Sequence, residues 1–196
     1  PAVTAQARQR LEGYFADRGS VEANLADSVV TLAARVGDDA LYDRYRRVIG
    51  EARTPQERRR FLLSLAAFRE PALAQRTLDL SLTDEIPTQD VAFIIARMFG
   101  NPSGREAAWR FLTRKWTTLK KRIPPLMLSR LIEATPALRD PKFATAMRTF
   151  FATRPVPEAR RALKQAAEVF RLNAELRRRT APPLAAWLAA RNPTVG

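Results

Sequence analysis

Residues 87–122 carry the most regular apolar pattern of the chain and read PTQDVAFIIARMFGNPSGREAAWRFLTRKWTTLKKR. In the first half, apolar residues recur at intervals of three and four, which places them on one face of an α-helix. These residues are Val91, Ile94, Ile95 and Met98. The second half repeats the spacing with Ala108, Phe111, Leu112, Trp116 and Leu119. The stretch therefore predicts two successive amphipathic helices, each with one buried face.

The link between these helices contains residues that end one helix and begin another. Gly100 and Asn101 tolerate the left-handed conformation of a helix C-cap, and Pro102 cannot continue a helix. Ser103 and Glu106 have the S-x-x-E spacing of a capping box, in which each side chain bonds a backbone N–H at the helix start. We therefore expect the second helix to begin at Ser103 and to run through the rest of the stretch.

Arg105 stands out because it falls in the first turn of this second helix, where the helix macrodipole disfavours a cation. One interpretation is that Asp90, at the start of the preceding helix, pairs with Arg105 and braces the two helices. Another is that Arg105 faces a cleft and binds an anion. A third is an exposed or locally paired arginine with no measurable role. The sequence leaves these three readings open.

The same apolar spacing, punctuated by Gly and Pro, predicts about eleven helices along the chain. Their approximate ranges are 6–18, 22–36, 38–50, 54–68, 71–82, 87–100, 103–122, 124–132, 140–150, 157–174 and 184–188. Thr54 followed by Pro55 and then Glu57 gives an especially clear helix start. No segment alternates at period two for long enough to be a strand, so the predicted fold class is all-α. Many short helices in series favour a stacked array of helix pairs over a four-helix bundle.

Domain organisation is predicted to be simple. The chain has no low-complexity segment and no linker, so we expect one continuous domain over residues 1–196. A six-residue echo between residues 54–59 and 156–161 is a weak sign of an internal repeat. The sequence begins without Met, so we expect it to be a piece of a longer protein.

Composition restricts the chemistry that the chain can perform. It has no Cys and no His, so it lacks thiolate and imidazole ligands for zinc and the usual base for a Ser nucleophile. Carboxylate-only chemistry stays open, but no pair of acidic residues stands out for it. No apolar run is long enough for a transmembrane helix, and the compartment is not predicted.

The net charge is +14, from 34 Lys and Arg against 20 Asp and Glu, which favours anionic partners. The basic residues form clusters at residues 44–47, 58–60, 114–115, 120–122 and 177–179. Solvated helix faces are the ordinary explanation for such clusters, and a surface for nucleic acid or acidic peptide is the functional one. The aromatic residues sit mostly at core spacing, so base stacking is not indicated and nucleic acid is disfavoured.

The chain resembles the C-terminal helical domain of the zinc aminopeptidases related to aminopeptidase N, puromycin-sensitive aminopeptidase and the endoplasmic-reticulum aminopeptidases. The resemblance depends on a series of short motifs in a fixed order. The motifs are TLDLSL at 77–82, IPTQD at 86–90, NPSGR at 101–105, AWRF at 108–111 and Trp116. Weaker matches are Gly37-Asp38, the TPQE start at 54–57, Phe150-Phe151, Asn173 and Trp187-Leu188.

The resemblance implies a right-handed superhelix of antiparallel helix pairs, of the HEAT or armadillo kind. It implies a domain that closes over the active-site chamber of a zinc aminopeptidase, controls substrate access and contacts the peptide, without catalytic residues of its own. The catalytic GxMEN and HExxH motifs are absent here, so the zinc would belong to a catalytic domain outside this chain. The expected partners are the peptide substrate and the missing domains of the same protein.

By the same resemblance, the substrate-binding candidates are Arg105, Gln89, Asp90 and, more weakly, Arg76. The turn before Arg105 and the pair Gln89-Asp90 are expected on one rim of the array, where a guanidinium could hold a peptide carboxylate. The alternative function is a stand-alone helical scaffold that binds nucleic acid or acidic proteins through its basic surface.

Overall fold

The computed structural model describes residues 2–191, which form eleven α-helices and four short 3-10 helices and contain no β-strand. The α-helices are α1 (Ala2–Ala16), α2 (Ala23–Ala34), α3 (Asp39–Glu51), α4 (Pro55–Ser64), α5 (Pro71–Leu80), α6 (Thr88–Gly100), α7 (Arg105–Arg114), α8 (Trp116–Arg122), α9 (Pro125–Glu133), α10 (Pro141–Ala152) and α11 (Arg160–Arg191). The 3-10 helices are Arg18–Ser20, Leu65–Ala67, Thr135–Leu138 and Pro157–Ala159. The all-α prediction is confirmed.

The chain divides into two compact units, one ending at Leu131 and the other beginning at Ile132. In the first unit each of the helices α1, α3, α5, α6 and α7 packs on the next helix in the chain. Alternate helices also pack in turn, α2 on α4, α4 on α6 and α5 on α7. These contacts are those of stacked helix pairs. The single-domain reading and the right-handed superhelix remain predictions.

An aromatic cluster fills the core of the first unit. The ring centroid of Tyr45 lies 4.9 Å from that of Phe61 and 5.4 Å from that of Phe68, both in edge-to-face orientation. Tyr42 meets Phe68 edge-on at 5.2 Å. The Tyr45 hydroxyl donates to the Val30 carbonyl at 2.8 Å, so its polar end is satisfied inside the core. The cluster joins α2, α3 and α4 and fixes their spacing.

The apolar faces predicted for residues 87–122 are buried. All nine residues of the two patterns are at most 6% exposed, and Trp109 is 9% exposed. The predicted left-handed C-cap is wrong, because Asn101 has φ −80° and ψ 117°. The predicted capping box is wrong as well, because α7 begins at Arg105 and its N-cap residue, Gly104, makes no side-chain cap.

The Asn101 side chain takes the place of both the predicted C-cap and the predicted capping box. Its side-chain Nδ2 donates to the carbonyls of Ala66 at 2.9 Å and Phe68 at 2.6 Å, and its Oδ1 accepts from the Ser103 N–H at 3.0 Å. Its backbone carbonyl accepts from the Arg105 N–H at 2.9 Å. A buried amide therefore ends α6, shapes the turn and ties it to the segment after α4.

Gly104 is required by close packing at the same turn. A Cβ added there would lie 2.3 Å from Met98 Sδ and 3.4 Å from the Cβ of Ala74. Met98 is fully buried and cannot move aside without repacking its neighbours. The absence of a side chain at Gly104 thus lets the start of α7 approach α5 and α6.

The helix predicted for the second half of the stretch is divided at Lys115, where φ is −100° and ψ is 14°. Just before this break, the Thr113 hydroxyl donates to the carbonyls of Trp109 at 3.1 Å and Arg110 at 3.0 Å. Such local side-chain bonds compete with the helix ladder and bend helices. They explain why α7 and α8 are separate helices.

At the other end of the chain, two predicted helices form one. We expected Pro182-Pro183 to separate them, but both prolines lie inside α11. The prolines remove two N–H donors from a fully exposed part of the helix, where water can reach the carbonyls left unpaired. This part of α11 also exposes a stripe of large apolar side chains. They are Val169, Leu172, Leu176, Leu184, Trp187 and Leu188.

Within the described residues, no helix is both long enough and apolar enough to cross a membrane.

Candidate functional site

The four predicted site residues lie on three helices of the first unit. Gln89 and Asp90 are in the first turn of α6, Arg105 is the first residue of α7 and Arg76 lies on α5. Ten residues of helix, roughly 15 Å, separate Asp90 from Gly100, and Arg105 follows the turn after Gly100. The expected shared rim is therefore wrong, because Gln89 and Asp90 sit at one end of α6 and Arg105 sits beyond the other.

The cation that contacts Asp90 is Arg59 on α4, a residue that the sequence did not single out. Arg59 Nε donates to Asp90 Oδ1 at 2.8 Å. The Asp90 carboxylate is 6% exposed, whereas the Arg59 side chain is 48% exposed. The Arg59 guanidinium also lies 4.9 Å from the centroid of the Phe93 ring, within the range of a cation–π contact. A buried carboxylate and an aromatic ring thus hold one end of an exposed guanidinium.

These residues belong to a cleft of about 620 Å³ between the start of α4 and the start of α6. Its walls are the turn after α3, the first two turns of α4 and the first turn of α6. The lining residues are Ala52, Arg53, Thr54, Pro55, Arg58, Arg59, Leu62, Pro87, Gln89 and Asp90. We name this space the α4–α6 cleft. It joins Gln89 and Asp90 with three arginines and contains neither Arg105 nor Arg76.

Local sequence explains how α4 presents its arginines to the cleft. The Thr54 hydroxyl accepts from the Glu57 N–H at 3.1 Å and Pro55 occupies the first helical position, so the predicted helix start is confirmed. Glu57 is buried, yet its carboxylate accepts from Arg18 Nε at 2.6 Å and from the Arg53 N–H at 3.1 Å. Burial alone would raise the pKa of Glu57, but these two bonds outweigh it and hold the pKa below its ordinary value.

A second, smaller pocket of about 300 Å³ adjoins the same helices on the α2 side. Its lining residues are Asp27, Thr31, Gln56, Arg59, Arg60, Leu63, Ser64 and Arg97. Arg59 lines both spaces. In each of them, three arginines face one carboxylate, and that carboxylate already pairs with one of the three. The helix layer α2–α4–α6 therefore carries an excess of positive charge.

Arg76 lies apart from the cleft and is engaged by α3. Its guanidinium donates to Asp43 at 2.8 Å, lies 3.6 Å from an oxygen of Asp39 and stacks 4.6 Å from the centroid of the Tyr42 ring. The hydrogen bond to Asp43 raises the pKa of Arg76, so the side chain stays charged. This is the geometry of a link between helices α3 and α5.

Comparison with known proteins agrees with the stacked helices and the motifs in residues 77–116. Residues 1–172 match the family described as the ERAP1-like C-terminal domain. The chain belongs to this family. Relatives of this ERAP1-like C-terminal domain include Aminopeptidase M1 of Arabidopsis thaliana, which is 31% identical over 177 residues. These residues are 86% of this chain and 20% of the relative. Aminopeptidase M1-B of Oryza sativa subsp. japonica is 32% identical over 147 residues, 74% of this chain and 16% of the relative.

A more distant relative is also an aminopeptidase by name. Aminopeptidase 2, mitochondrial, of Saccharomyces cerevisiae is 28% identical over 109 residues, 56% of this chain and 11% of the relative. The ERAP1-like C-terminal domain described here thus spans about a fifth or less of the curated relatives that it matches.

The residues of this ERAP1-like C-terminal domain do not fit a zinc site. Between residues 2 and 191, no three His, Cys, Asp or Glu side chains are grouped so that they could hold a metal ion.

Burial raises the pKa of the Tyr42 and Tyr45 hydroxyls, so these core groups stay protonated and act only as hydrogen-bond partners.

A short ion pair connects each of the helices α1 to α4 with the second helix after it, and we name these four the inter-pair ion pairs. They are Glu12–Arg44 at 2.7 Å, Asp27–Arg60 at 2.5 Å, Asp43–Arg76 at 2.8 Å and Arg59–Asp90 at 2.8 Å. Several arginines of the clusters at 44–47 and 58–60 therefore connect helices. Arginines used in this way have fewer N–H donors for phosphate, which disfavours the alternative of a scaffold for nucleic acid.

Proposed function

We propose that this chain is the C-terminal domain of a zinc-dependent aminopeptidase, where it covers the active-site chamber and contacts the peptide substrate. The supporting observation is the match of residues 1–172 to the ERAP1-like C-terminal domain, together with relatives whose names are all aminopeptidases. Zinc and the catalytic residues would belong to a part of the protein outside these 196 residues. This domain would supply shape and peptide contacts only.

Within this function, we assign peptide contact to Gln89 and, through its partner Arg59, to Asp90, which both line the α4–α6 cleft, and to Arg105 at the start of α7, beyond the other end of α6. Arg76 is the weakest candidate, because it already connects α3 and α5. The two ends of α6 would contact different parts of a long peptide. Short substrates that reach neither end would not be affected by changes at these positions.

The main test uses the full-length protein that contains this chain. It should release the N-terminal residue from aminoacyl reporters and contain about one zinc per catalytic domain, and chelation should abolish the activity. The 196-residue chain alone should show neither zinc nor hydrolysis. Stoichiometric zinc on the isolated chain, or a zinc-free active enzyme, would overturn the proposal.

The role of Arg105 is tested in the full-length protein with Arg105→Ala. A substrate contact predicts a higher KM for long peptides, by about 10-fold for a lost charge-assisted hydrogen bond, with short reporters unaffected. Arg114→Ala, an exposed position at the last residue of α7, is the matched control. Equal losses with long and short substrates, or lower thermal stability without a change in KM, would assign Arg105 a structural role instead.

A further inference from the structure

The α4–α6 cleft has more positive charge than its own carboxylate can neutralise. Arg53, Arg58 and Arg59 line it, and the only lining acid in the described structure is Asp90. Asp90 binds Arg59 through Nε, and the two terminal nitrogens of that guanidinium make no hydrogen bond to residues 2–191. Arg58 uses one terminal nitrogen, which donates to the Glu85 carbonyl at 2.9 Å. Several N–H donors are therefore left for a ligand.

The cleft is also built to hold Arg59 in one orientation. Burial of a carboxylate is unfavourable unless a partner compensates for it, and Asp90 is 5% exposed. Asp90 fixes the Nε edge of Arg59 while the Phe93 ring supports its face. Asp90 lies in the first turn of α6, where the helix dipole also stabilises its negative charge. A guanidinium held this way loses little conformational entropy when it binds an anion.

The size of the cleft and its mixed basic and apolar lining favour a carboxylate on a flexible chain. A volume of about 620 Å³ accommodates a few residues of an extended peptide. Pro55 and Pro87 add apolar surface beside the arginines. A nucleic acid would instead need open cations spread along a track and rings on which bases stack, and the one exposed ring near the cleft, Phe93, is already covered by Arg59.

We propose that the α4–α6 cleft binds acidic side chains of a peptide, so that the protein prefers long peptides with Asp or Glu away from the N-terminus. This inference rests on the proposed function for the peptide as the ligand. The acidic side chain would accept from the terminal nitrogens of Arg59 and from Arg58. Gln89, exposed at the rim, is placed to bond the peptide backbone.

The test measures binding to the full-length protein by fluorescence anisotropy, with two labelled and N-acetylated peptides. One carries Glu at internal positions and the other carries Gln at the same positions. We expect the Glu peptide to bind at least about 10-fold more tightly at low salt, with most of that preference lost at high salt. The double variant Arg53→Glu/Arg58→Glu should abolish the preference for the Glu peptide over the Gln peptide. These two positions leave the Arg59–Asp90 pair intact.

The matched control is Arg47→Glu, an exposed arginine of α3 outside the cleft, and it should retain the preference. Equal binding of the two peptides, or equal loss of preference in Arg47→Glu, would overturn the inference. Tighter binding of a single-stranded oligonucleotide than of the Glu peptide would overturn it too. Acetylated peptides are not cleaved, so their binding is measured independently of hydrolysis. If the protein binds the Glu peptide preferentially but hydrolyses no reporter, the proposed function is wrong and this inference still holds.

Discussion

Replacement of Asn101 should be among the most damaging single changes in this chain, because its amide satisfies backbone groups on two segments. Nδ2 donates to the buried carbonyls of Ala66 and Phe68, and Oδ1 accepts from Ser103. Carbonyls only accept and a backbone N–H only donates, so these partners determine the orientation of the amide. In Asn101→Ala both carbonyls lose their donor inside the core.

The magnitude follows from the burial of the groups left behind. Each unsatisfied buried carbonyl costs about 1–3 kcal/mol, whereas the N–H of the exposed Ser103 can bond water instead. Asn101→Ala should therefore lower the free energy of unfolding by about 2–4 kcal/mol. With a denaturant slope of ~2 kcal/mol per M, the urea midpoint should fall by about 1–2 M. The fluorescence of Trp109 and Trp116, which follow Asn101 in the chain, should report the transition.

Asn101→Asp separates hydrogen bonding from shape. It preserves the size of the side chain and the acceptor for Ser103, but it places a carboxylate against two carbonyl oxygens. Its folded-state pKa should therefore rise above the unfolded value of about 3.9, so the variant is least impaired below that pH and worsens as pH rises through the folded pKa. At neutral pH it should be less stable than Asn101→Ala.

The control is Ser103→Ala, which removes an exposed hydroxyl and leaves the backbone donor in place. It should change the free energy of unfolding by no more than about 0.5 kcal/mol. If Asn101→Asp were as stable as the wild type at neutral pH, or if Ser103→Ala were as damaging as Asn101→Ala, the account of this turn would be refuted.

Two further predictions concern packing and pH. Gly104→Ala forces a methyl group against Met98 and should lower the free energy of unfolding by about 1–3 kcal/mol. Gly100→Ala, whose new Cβ meets nothing within 4 Å, should leave the free energy of unfolding unchanged or raise it. Equal urea midpoints for the two variants would contradict the packing argument. Because Arg18 helps to hold the pKa of Glu57 below its ordinary value of 4.5, the stability that this carboxylate adds at neutral pH is lost as pH falls through the folded pKa. Urea midpoints between about pH 6 and about pH 3 should therefore fall more in the wild type than in Glu57→Gln, and parallel curves would exclude this role.

Sequence reasoning succeeded where the signal is local. The apolar stripe of α6 and the Thr54–Pro55 start of α4 depend on residues within one or two helical turns, so periodicity and capping chemistry report them directly. The break at Lys115 has a local cause too, the Thr113 hydroxyl, but a single Thr in a helical pattern does not by itself predict where a helix will bend.

Only part of the candidate site could be predicted, because its contacts join residues that are far apart in the sequence. Gln89 and Asp90 are predicted from a motif and both line the α4–α6 cleft, but the partner of Asp90 is 31 residues away in sequence, on another helix. Any of the arginines on α4 could have been that partner until the packing of α4 on α6 was known. The expected link to Arg105 overlooked the length of α6, which separates the start of one helix from the start of the next.

The inter-pair ion pairs recur at a nearly constant separation along the chain, although the order of acid and arginine differs among them. Their partners are separated by 32, 33, 33 and 31 residues along the chain, which is the length of one helix pair with its turns. A search for repeated letters misses this period, because three of the pairs have the acid first and the fourth has the arginine first. Exposed pairs of this kind contribute about 0–1 kcal/mol each, so the aromatic core, not the pairs, must stabilise the stack. Their regular spacing follows from the stacking of one helix pair on the next, and the Arg59–Asp90 pair differs from the rest because its carboxylate is buried and its arginine opens into a cleft.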